Sequence, residues 1–126
     1  MTRRLTVIGL AALLAALAPA SIGGASRLHM RVYPTVAAAP TKLWVYMRVE
    51  RDIQHRAIEI IAESEDFYRS SEIQLDGDRA PRTNVFEFRG MPAGLYDVSA
   101  VLKGQGGYSI EVVQTQVTLY GDHRDR

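Results

Sequence analysis

The chain of 126 residues is long enough for one domain of ordinary size, and it contains no cysteine. Disulfides, thiolate metal sites and a lipid anchor on an N-terminal cysteine are therefore excluded. The 15 basic and 14 acidic side chains nearly balance and form no basic stripe along the sequence. The electrostatic pattern of a nucleic-acid-binding protein is therefore missing.

The N-terminal segment has the three parts of an export signal. Thr2-Arg3-Arg4 is a short basic region, Leu5–Leu17 is an apolar run of 13 residues, and Ala18-Pro19-Ala20 offers a small-x-small cleavage site. A membrane-spanning helix needs about 20 apolar residues, so this run is short for an anchor. We predict a helical signal peptide over residues 1–20, with secretion or a periplasmic location and no membrane attachment after cleavage. Cleavage as late as residue 25, an uncleaved anchor and a core helix are the alternatives.

Residues 21–40 are predicted to be a linker that includes a short first strand. That strand is His29–Tyr33, ended by Pro34, and small residues fill Val36–Pro40. Lys42–Glu50 then alternates with the period of a half-buried strand. One face of this strand is apolar and belongs to the core: Leu43, Val45, Met47 and Val49. The other face carries Trp44, Tyr46, Arg48 and Glu50.

The following segment is ambiguous between two periods. Residues 52–64 fit a helical stripe or a strand, and the isoleucine-rich run favours the strand. Further strands are predicted at Phe67–Leu75 and Asn84–Arg89, separated by a loop around Gly77 and Pro81.

Two long strands complete the pattern. Gly94–Lys103 follows a turn with Pro92 and alternates strictly, and a glycine-rich turn precedes Tyr108–Tyr120. In the last strand, the apolar residues expected to face the core are first Ile110 and Val112 and then Val113, Val117 and Leu119. This change of phase predicts a bulge within residues 113–116. Residues 122–126 form a charged tail.

These short strands at regular spacing predict an all-β fold. We expect an antiparallel β-sandwich of about seven strands, immunoglobulin-like or transthyretin-like, over residues 41–121.

One hairpin carries a family resemblance. Phe86-x-Phe88-x-Gly90-x-Pro92-x-Gly94-x-Tyr96-x-Val98-x-Ala100 resembles the hairpin of carboxypeptidase-regulatory-like, transthyretin-like and Cna-B-like domains, with Met91 in place of the usual leucine. The resemblance implies an accessory, adhesive or scaffolding module in an exported bacterial protein. Isopeptide-forming members use a lysine, an asparagine or aspartate, and an acidic residue. Lys42, Asn84 and Glu59 are the candidates by type, but no family motif surrounds them.

Exposed aromatic side chains are the main candidates for binding. Trp44 and Tyr46 share the face that also carries Arg48, and Tyr68 and Tyr108 are further candidates. Aromatic rings supply large contact areas to proteins and to sugars. The alternative is structural: Trp44 packs under residues 31–40 or is covered by long arginine side chains.

Catalytic and metal sites lack their usual patterns, so no cofactor is expected. His29, His55 and His123 have no short ligand spacing and are predicted to be surface or turn residues. Glu72, Asp76 and Asp78 form an acidic cluster around a glycine; a calcium site there is the alternative to a solvated turn. Ser70 and Ser71 lack the nucleophile elbow of a catalytic serine and are predicted to be sheet or turn hydroxyls.

The function expected from these patterns is non-catalytic. We predict an exported binding or structural module of the cell envelope with a protein partner. A carbohydrate-binding module that uses Trp44 and Tyr46 is the second hypothesis, and a small envelope enzyme is the third.

Overall fold

The computed structural model describes residues 26–121, which form an all-β domain. The predicted signal peptide and the charged tail at 122–126 lie outside the described residues. Within residues 26–121 no helix has the length and apolarity needed to cross a membrane. The strands are β1 (Leu28–Tyr33), β2 (Val36–Ala38), β3 (Thr41–Val49), β4 (Ala57–Glu63), β5 (Tyr68–Gln74), β6 (Thr83–Met91), β7 (Gly94–Lys103) and β8 (Ser109–Tyr120).

The strands form two sheets that share one hydrophobic core. The smaller sheet has the order β1-β3-β6, and the larger has the order β2-β8-β7-β4-β5. Alternate side chains of both sheets point into the same interior, as the period of two requires. The fully buried side chains include Leu43, Val45, Met47 and Phe88 from the smaller sheet and Ile58, Ile60, Tyr96, Val98 and Leu102 from the larger.

The domain begins earlier than the sequence pattern indicated. The predicted first strand exists as β1, and its Leu28 and Val32 are buried in the core. The predicted small-residue linker contains β2, which pairs in parallel with the end of β8. Residues 28–38 therefore belong to the two sheets, and β2 brings the strand total to eight within residues 26–121.

The ambiguous segment is a strand, as its isoleucine content favoured. β4 lies between β5 and β7 and buries Ile58, Ile60 and Ala62, while Glu59 and Glu63 point outward. Residues 50–56 before β4 form a connection rather than part of a helix.

The predicted bulge in the last strand is in a different place. The register between β7 and β8 shifts where Lys103 pairs with Ser109 and Leu102 with Glu111, so the extra residue is Ile110. Ile110 and Val113 pack against the core, whereas Val112 is exposed. The prediction of an inward Val112 and a bulge at 113–116 was therefore wrong, because the shift precedes Val112.

The hairpin that carries the family resemblance is built around two special positions. Gly90 has a φ of 61° and stands in a bulge, because Leu43 pairs with Phe88 and Thr41 with Met91. This bulge turns the Met91 side chain into the core. After the turn, the buried Tyr96 donates a hydrogen bond of 2.8 Å from its hydroxyl to the Pro92 carbonyl oxygen.

Candidate functional site

The outer surface of the three-stranded sheet collects the predicted aromatic residues. Trp44, Tyr46 and Arg48 all point away from the core, as their alternation predicted. The strand registers add neighbours that the sequence did not reveal. Three rows cross β1, β3 and β6: Tyr33–Trp44–Glu87, Arg31–Tyr46–Val85 and His29–Arg48–Thr83.

We call this surface the aromatic face, defined by Tyr33, Trp44, Tyr46, Val85, Arg31 and Arg48. Three of its members are exposed: Tyr33 by 67%, Tyr46 by 41% and Val85 by 50%. Such a cluster of aromatic and apolar side chains on the outer surface of a sheet is typical of an interaction surface. A depression on the same face is lined by residues that include His29, Arg31, Tyr46, Arg48 and Thr83.

Trp44 is half-buried in the middle of this face. Its partner on β1 is Tyr33, directly across the strand pair. The Lys42 ammonium lies 5.4 Å from the centroid of the indole ring, at the distance of a cation–π contact. Trp44 is thus covered in part, and the rest of its surface stays accessible.

The two ends of the aromatic face differ in charge pairing. At one end Glu87 accepts from Lys42 Nζ at 3.0 Å and from Arg89 Nε at 3.2 Å. The hydrogen bond from Lys42, helped by Arg89, lowers the pKa of the Glu87 carboxyl, so it stays ionised in mildly acidic solution. At the other end Arg31 and Arg48 are exposed, and no carboxylate of residues 26–121 lies within 4.0 Å of either guanidinium.

Unpaired arginines beside aromatic rings suit an anionic or acidic partner. Guanidinium groups bind carboxylates through two parallel hydrogen bonds and also stack on rings. The aromatic face therefore offers apolar contact from three rings together with two exposed cationic groups.

The other two predicted residues lie elsewhere. Tyr68 is exposed on β5, an edge strand of the five-stranded sheet. Tyr108 is exposed before β8, and its ring packs so close to Gly104 that a Cβ there would come within 2.4 Å. Neither residue joins the aromatic face, because Tyr68 lies on the other sheet and Tyr108 lies at the start of a strand of that sheet.

The histidines have separate surroundings. His29 is exposed beside Arg48, and His123 lies outside the described residues. His55 is in a turn, as predicted, but it is buried, and its ring nitrogen Nδ1 lies 2.7 Å from the Glu50 carbonyl oxygen. This contact holds the connection between β3 and β4, so His55 has a structural role.

Further chemical candidates are also separated. Asp76 precedes the short 3₁₀ turn Gly77–Arg79 and Asp78 lies within it, while Glu72 faces Lys103. Among residues 26–121 no three metal-binding side chains converge. Ser70 and Ser71 pair with Ile61 and Ile60 in the sheet.

The isopeptide candidates do not meet. Lys42 contacts Glu87 on one sheet, whereas Glu59 contacts Lys103 at 2.9 Å on the other. Asn84 donates to the Pro81 carbonyl oxygen.

Comparison with known proteins supports the fold alone. No protein family matches the sequence, and no curated protein matches it. A family 76 glycoside hydrolase from a bovine strain of Bacteroides thetaiotaomicron has a TM-score of 0.51 and 19% identity over 72% of this chain. The matched region is only 20% of that hydrolase chain.

A second solved structure is similar over most of both chains. The superoxide reductase (neelaredoxin) from Ignicoccus hospitalis has a TM-score of 0.51 and 11% identity, covering 77% of this chain and 81% of its own. At such identities the two structures share a fold with this chain.

Proposed function

We propose that this chain is an exported, non-catalytic β-sandwich module that binds a protein partner through the aromatic face. The observation that carries the proposal is the grouping of Tyr33, Trp44 and Tyr46 with the exposed guanidinium groups of Arg31 and Arg48 on one sheet. Rings and arginines are the side chains that contribute most to protein interfaces. These side chains spread over three paired strands, an extent that suits contact with a protein surface.

The module is proposed to be immunoglobulin-like. β1 pairs antiparallel with β3 in one sheet, and the chain then crosses to pair β2 with β8 in the other. The hydroxyl of Tyr96, near the start of β7, bonds to the backbone four residues upstream. A tyrosine corner of this kind, at a turn between the two sheets, is a hallmark of immunoglobulin-type sandwiches. The hairpin resemblance to carboxypeptidase-regulatory-like domains is consistent with the same class.

Export is part of the proposal and has its own test. N-terminal sequencing of the protein recovered from the periplasm or medium of a bacterial host is expected to begin at Ser21, or at the latest at Ser26. Changing Leu10 to Arg should block processing, because a charge interrupts the apolar run, while Thr2→Ser should leave processing unchanged. Recovery of the full-length chain in the cytosol would contradict export.

Binding is tested with Trp44→Ala. The processed protein, immobilised, is expected to retain one partner in stoichiometric amount from an envelope extract, and Trp44→Ala should weaken that binding about tenfold or more. Tyr120→Ala is the control, since Tyr120 is an exposed aromatic residue on the other sheet. Thermal unfolding should show that both variants stay folded. A partner bound equally by Trp44→Ala would contradict the use of the aromatic face.

A carbohydrate is the second candidate, favoured by the accessible part of the Trp44 ring. Sugars stack on such rings but have no need for free arginines. Binding to a glycan array that is lost in Trp44→Ala yet unchanged in Arg48→Ala would favour the sugar. Dependence on both residues would favour the protein partner.

A further inference from the structure

The two outer surfaces of the sandwich carry opposite charge, although the chain as a whole is nearly neutral. On the outer surface of the smaller sheet, the strands carry one acidic side chain, Glu87, and four basic ones: Arg31, Arg48, Lys42 and Arg89. On the outer surface of the larger sheet, β4, β5 and β7 carry one basic side chain, Lys103, and four acidic ones: Glu59, Glu63, Glu72 and Asp97. Arg82 and Glu50 flank the smaller sheet just beyond the strand ends.

We call the outer surface of β4, β5 and β7 the acidic face, defined by Glu59, Glu63, Glu72 and Asp97. Part of its charge is already paired, because Lys103 Nζ lies 2.9 Å from Glu59 and 3.8 Å from Glu72. Glu63 and Asp97 are different: they pair across β4 and β7, both are exposed, and no cation of residues 26–121 lies within 4.0 Å of them.

Within residues 26–121, each face therefore has two charged side chains without an ion-pair partner, of opposite sign: Arg31 and Arg48 on the aromatic face, and Glu63 and Asp97 on the acidic face. The next residue along this row of the acidic face is Tyr68, which pairs with Glu63 and is exposed. The acidic face thus combines carboxylates with an exposed ring, which complements a surface of rings and guanidinium groups.

We propose that the protein partner of the aromatic face is a second copy of this chain, which docks by its acidic face. This inference rests on the proposed function, because it names the partner of that same surface. The two faces lie on opposite sides of one sandwich, so the contact is heterologous and leaves a free face at each end. Repetition of the contact builds an open row of molecules.

Self-association is measured by sedimentation equilibrium of the processed protein. The average mass is expected to rise with protein concentration at low ionic strength. It should fall toward the monomer mass at about 1 M salt, where the Debye length is about 3 Å. Arg48→Glu and Glu63→Arg should each lower the association constant about tenfold or more. Arg79→Glu is the control, because Arg79 is an exposed cation in the 3₁₀ turn Gly77–Arg79, outside both faces.

Mixing the two variants gives the sharpest result. Arg48→Glu keeps an intact acidic face and Glu63→Arg keeps an intact aromatic face. An equal mixture is therefore expected to associate, although each variant alone stays close to monomeric. A monomeric mixture, or self-association that Arg48→Glu leaves intact, would overturn the head-to-tail contact.

The failure of self-association is distinguishable from the failure of the proposed function. If the wild-type protein stays monomeric at its highest soluble concentration in low salt, the second copy is rejected. Retention of a different protein that depends on Trp44 would then leave the binding module standing. Circular dichroism of each variant separates a lost contact from a lost fold.

Discussion

Replacing Phe88 with alanine is expected to lower the free energy of unfolding by about 3–5 kcal/mol. Phe88 is buried on β6, where it packs edge-to-face against Phe86 with ring centroids 4.8 Å apart. Truncation removes the buried ring and leaves a cavity that close-packed neighbours fill only partly. A domain of this size has a total stability of about 5–15 kcal/mol, so the variant should be close to unfolding.

Urea denaturation followed by the fluorescence of the single tryptophan, Trp44, measures this loss. Val85→Ala is the control, because Val85 lies on the same strand but is half exposed. This substitution should lower the free energy of unfolding by only about 0.5 kcal/mol. Equal losses for the two variants would contradict the assignment of Phe88 to the core and Val85 to the surface.

Replacing Tyr96 with alanine should have an effect of similar size, about 3–5 kcal/mol. Tyr96 is among the largest fully buried side chains, and its ring lies edge-to-face with that of Phe67, with the ring centroids 6.3 Å apart. Its hydroxyl also satisfies the Pro92 carbonyl oxygen. Burial raises the pKa of this hydroxyl, which therefore remains protonated as a donor at neutral pH.

Tyr96→Phe separates the hydroxyl from the ring. It keeps the packing and removes one hydrogen bond, so it should lower the free energy of unfolding by about 1–2 kcal/mol. Thermal and urea unfolding measure both variants, and Tyr120→Phe, on the surface, is the control. An unchanged free energy of unfolding in Tyr96→Phe would show that the hydrogen bond to Pro92 does not stabilise the turn between β6 and β7.

Local patterns predicted most strands because their side chains alternate between core and solvent. β3 and β7 were clear for this reason, and the isoleucines indicated β4. β2 could not be predicted, because small residues between Pro34 and Pro40 resemble a linker. Its pairing with residues 118–120 of β8 depends on chain segments distant in sequence. The bulge at Ile110 was misplaced because two apolar residues, Ile110 and Val112, suggested one continuous inward set.

The candidate site was predicted only where it lies within a single strand. The period of two placed Trp44, Tyr46 and Arg48 together, and β3 confirms it. Tyr33 and Arg31 share a face of β1 by the same period, but their position beside β3 depends on the register between strands. The separation of charge between the two outer surfaces is likewise invisible in a nearly neutral sequence, because it arises from which strands share a sheet.

The parallel pairing of β2 with β8 has a mechanical consequence. Arg27 bonds to Glu111 near the start of β8, whereas Gly121 follows the end of that strand, so the two ends of the domain leave at opposite poles. Tension between these poles pulls β2 and β8 along their axes in opposite directions. The hydrogen bonds from Thr118 to Thr35 and from Ala39 to Tyr120 then bear the load together, instead of opening one after another. This arrangement resists stretching between the two ends of the domain, because both hydrogen bonds must break at once.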